Sequence, residues 1–192
     1  MESKILEIAS NDGSFIKILK KKFNSFVVGV DPARNLAKIA NKKKIFTINK
    51  YFDSKLSLSI KRKFFKFDFI FARNVIAHIK NPNSIFKGVE QLLKENGVFI
   101  IEVPHLLNIL SENQYDNIFH EHSGFHSLKS IDDLCKLNNL KIFDVDMIDS
   151  QGGSIRCYIV KSTFNKQISK KVKYLSNVEK RSKIFSSVKL NS

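Results

Sequence analysis

Leu6-Glu7-Ile8-Ala9-Ser10-Asn11-Asp12-Gly13-Ser14-Phe15 is the stretch on which the fold turns. Residues 5–9 form an apolar run short enough for a buried strand. Residues 14–23 follow with Phe15, Ile18, Leu19 and Phe23 near one face of a helix. Between the two lie small residues, Ala9, Ser10 and Gly13, with Asn11, one of the few non-glycine residues that accept a left-handed backbone. Such a strand-to-helix turn lets main-chain N–H groups approach a nucleotide-like ligand at a helix start. Alone it is a weak motif, because Gly13 is its only glycine and G-x-G-x-x-G is absent.

The same alternation continues along the chain. Residues 26–30 read as a second strand ending at Asp31, 33–40 as a short helix, 45–48 as a third strand and 67–72 as a fourth, while 55–63 are ambiguous. A helix over 84–95 is started by Asn81-Pro82-Asn83-Ser84 and stopped by Asn96-Gly97, ahead of a fifth strand over 98–103. Residues 111–127 are polar and aromatic without a period and read as a loop or lid with local helix; 128–137 read as a helix. The last strands, 141–148 and 154–160, are separated by a short loop holding Gln151-Gly152-Gly153. They are therefore antiparallel, since a parallel return needs roughly a dozen residues. Seven strands in this order predict an α/β, Rossmann-like class I methyltransferase sheet, mostly parallel with an antiparallel terminal strand. Ligands then belong at the carboxyl ends of the strands.

The 192 residues, 43% hydrophobic and 27% charged, suffice for one substantial core. The expected division is a domain over 1–161 and a basic tail, helical or disordered, over 162–192. Cys135 and Cys157 are the only cysteines, which excludes a disulfide framework and a four-cysteine zinc site and makes a reducing, cytoplasmic setting the expectation. No apolar run approaches the roughly 18–20 residues of a spanning helix, and Met1-Glu2-Ser3-Lys4 has no signal-peptide layout, so no membrane partner is expected. Thirty-three basic residues against eighteen acidic ones give +15, of which 162–192 carry +7. That excess raises the question of a polyanion. The lysine-rich runs at 20–22, 42–44 and 61–63 suit solvated helix faces, however, and no basic patch interleaved with aromatics is evident in the sequence. A Pro-Pro-aromatic motif for a flipped base is also missing, and a nucleic-acid partner is not expected.

Asp31 stands eighteen residues after Gly13, where a carboxylate can accept both hydroxyl hydrogens of a ribose; it can also serve as the N-cap before Pro32-Ala33. Glu7, mid-strand, is costly to bury unpaired, which suggests a duty toward the loop's N–H groups or toward a sulfonium and its amino group.

Seven segments stand in one order: 6–15, 29–33, 47–52, 72–79, 97–105, Phe119-His120-Glu121-His122 and Gly152-Gly153-Ser154-Ile155-Arg156. Over residues 3 to about 161 they resemble the S-adenosylmethionine-dependent C-methyltransferases that act on keto-deoxysugar nucleotides. The resemblance implies S-adenosylmethionine as cofactor, held by Glu7, Ala9, Asp12, Gly13 and Asp31, with Ser10 in the same loop and Asn74 near the methionine part. It also implies His78, Glu121 and His122 at the reacting end, His122 being the base, and a nucleotide-sugar substrate. Phe119, His120, His105 and Arg156 are the expected substrate contacts, although His105 can equally cap the strand before it. The family sets this domain between a cysteine-rich zinc domain and a sugar-holding domain. This chain shows neither, so a homo-oligomer or a partner subunit supplying them is expected; the alternatives are a core that holds cofactor or a partner subunit with weak or no turnover, and a methyltransferase acting on another small molecule.

Methylation of carbon beside a ketone needs a base with a pKa near the working pH and donors aimed at the enolate oxygen. Histidine suits both duties. A zinc site built from His120, Glu121, His122 and His126 is disfavoured, because the spacing matches neither a helical H-x-x-x-H nor a zinc-finger set. Two departures from the family bear on rate: Phe119 stands where a tyrosine is usual, and Gln151 where a histidine is common.

Overall fold

The computed structural model describes residues 2–182. Seven strands form one sheet: β1 (Lys4–Ile8), β2 (Phe26–Val30), β3 (Thr47–Ile48), β4 (Phe67–Arg73), β5 (Leu93–Pro104), β6 (Leu140–Ile148) and β7 (Ser154–Lys161). Their order is β3-β2-β1-β4-β5-β7-β6, and β7 alone runs antiparallel to its neighbours. The helices are α1 (Ser14–Phe23), α2 (Arg34–Lys42), α3 (Ser54–Phe64), α4 (Pro82–Leu92), α5 (Leu106–Ser111), α6 (Leu128–Leu137) and α7 (Lys170–Arg181). The sheet is the expected one. Strand order reverses beside β1, which opens a crevice above the carboxyl ends of β1 and β4.

Both faces of the parallel strands are apolar, as burial on two sides demands. Leu6, Ile8, Val28, Val30 and Ile70 pack with Ile60 of α3, Phe86 and Val89 of α4 and Ile131 of α6. On the other face Ile5 and Val27 pack with Ile16 of α1 and Ala40 of α2. Residues 55–63 are helical because Asp53 caps them, its Oδ1 accepting from the N–H groups of Lys55 and Leu56. The helix expected to run to residue 95 ends at Leu92. Leu93 already pairs with Phe67, and the chain bulges before Val98 rejoins β4 opposite Phe69. Gly97 sits in that bulge, where a Cβ would meet the Phe67 carbonyl at 2.9 Å. Asn96-Gly97 therefore marks a bulge, not a helix end.

The basic tail carries α7, which packs on β6 and α6; residues 183–192 lie outside the described residues. Glu179 of α7 is buried, and its carboxylate accepts from the N–H groups of Leu128 and Lys129 at 2.6 and 3.0 Å, capping α6. The same carboxylate accepts from His105 Nε2 at 2.8 Å, and His105 is fully buried. Removing one partner of such a pair strands the other in the interior. Glu179→Ala is expected to lower unfolding free energy by about 3 kcal/mol or more. Urea denaturation at neutral pH reads this, and a change below about 1 kcal/mol would show that α7 is not held by this pair.

Candidate active site

At the carboxyl end of β1 the chain turns through three left-handed residues in five, Ala9 (φ 55°), Asn11 (φ 52°) and Gly13 (φ 74°). Asparagine and glycine tolerate this conformation; for Ala9 it costs roughly 1–2 kcal/mol. Asp31 holds the turn in place. Its Oδ2 accepts the Asn11 N–H at 2.8 Å and its Oδ1 accepts the Ala33 N–H at 2.8 Å, so one carboxylate ties the first loop to the start of α2. Gly29 has to be glycine there, because a Cβ would lie 2.4 Å from Ser10 Oγ and 2.8 Å from Thr47 Oγ1. Asp12 turns the other way. It accepts from Ser14 and Lys43, which hold its carboxyl down to about 2, Lys43 contributing most.

A cavity of about 640 Å³ opens over this loop, lined by Ala9 and Pro32, by Tyr51, Phe52 and Asp53 after β3, and by Val75 and His78 after β4. That volume lies within the roughly 300–1,000 Å³ of small-ligand sites. Tyr51, Phe52 and Val75 were not assigned a role from the sequence; Tyr51 and Phe52 lie in the 47–52 segment and Val75 directly follows Asn74. Among the described residues Glu7 Oε2, Ser10 Oγ, Asn74 Oδ1 and His126 Nε2 are buried without a partner in the protein, and Ser10 Oγ faces Gly29 and Thr47. Asn74 itself is left-handed, at φ 51°, which turns the chain sharply after β4.

A second cavity, about 540 Å³, lies under residues 112–126 and is lined by His78, Gln114, Asp116, Asn117, Phe119, His122, Gln151 and Gly152. His78 lines both cavities. The rings of His78 and His122 are 4.9 Å apart, and Phe119 lies 4.2 Å from His122. His122 Nδ1 is 2.7 Å from the Asn117 carbonyl and His78 Nδ1 is 3.0 Å from the Glu121 carbonyl. A carbonyl only accepts, so both Nδ1 atoms carry hydrogen and each ring keeps Nε2 as its basic atom. The lid is tied down at two points: Gly124 N–H donates to the Ala77 carbonyl at 3.1 Å, and Gln114 Nε2 donates to the Gly152 carbonyl at 2.6 Å.

Other residues expected at the site lie elsewhere. His105 is sealed under α7 and cannot reach a substrate. Arg156 Nε donates to Glu102 at 2.7 Å on the sheet face that carries Phe71 and Ile100, in a cavity that includes no histidine. Glu7 meets neither the loop's N–H groups nor the histidines; its Oε1 accepts from Arg73 at 2.9 Å. Glu121 and His120 are exposed, and only the Glu121 main chain touches His78. Among the described residues no group of three or more His, Cys, Asp or Glu is placed to hold a metal ion.

The sheet order, the loop clamped by Asp31 and the cavity across the ends of β1, β2 and β4 define a class I S-adenosylmethionine-dependent methyltransferase fold. Residues 2–145 match the family described as the methyltransferase domain, and the chain belongs to that family. C-methyltransferase NovU of Streptomyces niveus is 37% identical over 151 residues, which are 79% of this chain and 36% of that protein; the chain spans about a third of this relative. A S-adenosylmethionine-dependent methyltransferase from Anabaena variabilis shares the fold at TM-score 0.65 and 16% identity, covering 83% of this chain and 77% of that one. Magnesium protoporphyrin IX methyltransferase of Synechocystis, solved with bound S-adenosylmethionine, does so at TM-score 0.61 and 13% identity, over 83% and 70%. The residues here fit that cofactor. The buried, unpartnered Asn74 Oδ1 suits its ammonium group, and the open left-handed turn suits its carboxylate and ribose.

Glu7 supplies a test of this end of the sheet. Burial pushes its pKa up from 4.5 to about 7, against the pull of Arg73. The folded protein thus favours the protonated form. Stability from this group is complete below the unfolded pKa and drains as pH rises through 7. Between pH 5 and pH 8 the protein is expected to lose on the order of 3 kcal/mol, and Glu7→Gln to flatten that slope. Equal slopes for both proteins in denaturant titrations would contradict it.

Proposed function

We propose that this domain transfers a methyl group from S-adenosylmethionine to the carbon beside the ketone of a nucleotide-linked deoxysugar. The observation that carries the reading is the pair of imidazoles, His78 and His122, each with Nδ1 committed to a main-chain carbonyl, at the junction of the two cavities. The 37% identity to a protein named as a C-methyltransferase supports carbon as the acceptor. When bound, the cofactor supplies an electrophilic methyl on sulfur. Asp31 and the 9–13 turn would hold its ribose side, and Asn74 its amino-acid end.

His122 Nε2 takes the proton from the sugar carbon, and the C–H electron pair becomes the enolate. His78 Nε2, when protonated, donates to the enolate oxygen. S-adenosylmethionine, held by the residues named above, would supply the methyl that this carbon takes up, and the His122 proton leaves to water. Phe119, held against His122, offers no hydroxyl to the enolate; the Gln151 amide lines the same cavity and is a neutral donor there. Loss of one such donor costs roughly 2.7–4 kcal/mol in comparable sites, so slow turnover is expected. The missing hydroxyl also favours a second reading, a domain that holds cofactor but needs a partner subunit or second copy for turnover.

Calorimetry is expected to show S-adenosylmethionine binding for the wild type and for His122→Ala alike. His122→Ala should lower the methylation rate by about 10²–10⁴-fold, and Phe119→Tyr should raise it. In heavy water, and without cofactor, the wild type should exchange the hydrogen beside the substrate ketone. Methyl on oxygen in the product, or undiminished exchange by His122→Ala, would rule out the proposed base.

A further inference from the structure

The positive charge is not spread evenly over the fold. Residues 13–66 hold fifteen basic residues against Asp31 and Asp53, a net +13 within a chain of +15. This block builds α1, α2 and α3; α1 and α3 run from the carboxyl edge of the sheet back to its amino edge, whereas α2 ends beside Asp12, which Lys43 meets. Two lysine-rich runs, 20–22 closing α1 and 61–63 closing α3, therefore end up on the edge opposite the two site cavities. A C-terminal turn tolerates cations, and that alone accounts for some of them. Among the described residues no salt bridge engages either run.

Phenylalanines stand between these lysines: Lys61-Arg62-Lys63-Phe64-Phe65-Lys66-Phe67 and Lys22-Phe23 interleave them in the chain itself, contrary to the expectation of no such patch, and the fold adds Phe26 and Phe46. Phe64, at the end of α3, touches Phe26 of β2 and Phe46, with ring centroids 5.7 and 5.5 Å apart. Lys63 Nζ lies 4.6 Å from the Phe46 centroid and 5.2 Å from that of Phe64. Lys4, the register partner of Phe26, lies over Phe65, and Lys22 lies over Phe23. Phe65 is 73% exposed and Phe23 60% exposed. Phe65 also has φ 65°, a backbone that a bulky residue adopts only under strain. A strained, exposed phenylalanine with an ammonium over its ring is more than a solvated helix end. The nearby acids are Asp68, which Lys94 neutralises at 2.8 Å, and Glu95, which lies 3.7 Å from Lys66 and 3.0 Å from Lys161.

We propose that this amino-terminal edge of the sheet is a docking surface for an anionic lipid membrane. Exposed rings at two chain turns can enter the headgroup layer, while the lysines beside them stay at lipid phosphates. Single-stranded nucleic acid fits less well. Stacking needs open ring faces, and Phe23, Phe46 and Phe65 each carry an ammonium over the ring. The sequence expectation of no membrane partner rested on the lack of a spanning segment, which does not bear on surface attachment. Bound this way, the sheet presents both site cavities away from the membrane.

Co-sedimentation of the full chain with vesicles tests it. The protein is expected to pellet with phosphatidylcholine vesicles containing phosphatidylglycerol, not with pure phosphatidylcholine, and to be released by high salt. Phe23→Ser with Phe65→Gly keeps every charge and gives Phe65's position the residue its backbone suits. This double variant is expected to bind at least about tenfold more weakly while its melting temperature stays level or rises. Three results would overturn the proposal. One is no pelleting with anionic vesicles at low salt. Another is equal binding by the folded double variant, which leaves only diffuse charge. The third is a labelled single-stranded oligonucleotide whose binding the double variant weakens while vesicle binding is unchanged.

Discussion

One carboxylate sets the geometry on which the rest depends. Asp31 uses both oxygens on main-chain N–H groups, one in the loop after β1 and one at the start of α2. Without that clamp the left-handed turns at Ala9 and Asn11 have nothing to offset their cost, and the loop would relax across the cavity it borders. Because the clamp joins adjacent parallel strands, the cavity's floor moves only if the sheet itself moves. Gly29 completes the arrangement by letting β2 come close enough for the bond to form.

The second half of the site is organised by main-chain carbonyls. Asn117 and Glu121 are on the lid, and their carbonyls fix the orientation of His122 and His78. The chemistry of the imidazoles is thus decided by backbone placement, not by a neighbouring carboxylate. Glu121 could be exchanged for another residue with its carbonyl retained. Burial lowers the pKa of His126 and keeps it out of this chemistry, although it stands only four residues from His122.

Much of the fold was legible because it depends on local pattern. Apolar runs gave the strands, and a loop too short for a crossover made β6 and β7 antiparallel. Where two local signals competed, the reading slipped. Leu92-Leu93 continues a helical face and also begins a strand, and pairing with Phe67 decided for the strand. At the site, His78, Phe119 and His122 could be placed together from topology. His105 could not be placed, since its partner Glu179 is 74 residues further along. Glu7 and Arg73 are likewise 66 apart and meet only because β1 pairs with β4. Part of the amino-terminal edge was visible in the run 61–67, but Phe23 and Phe26, Phe46, and Phe64 and Phe65 come from three separate segments that only the fold brings together.

The bond between Glu179 and His105 also imposes an order of events. A chain emerging from the ribosome presents β1 to β5 and the lid long before α7 exists. Until α7 arrives, His105 lacks its partner and the first N–H groups of α6 are uncapped, so the base of the lid has no fixed seat. The nascent sheet can close early, but the histidine pair gains its final setting among the last steps of maturation.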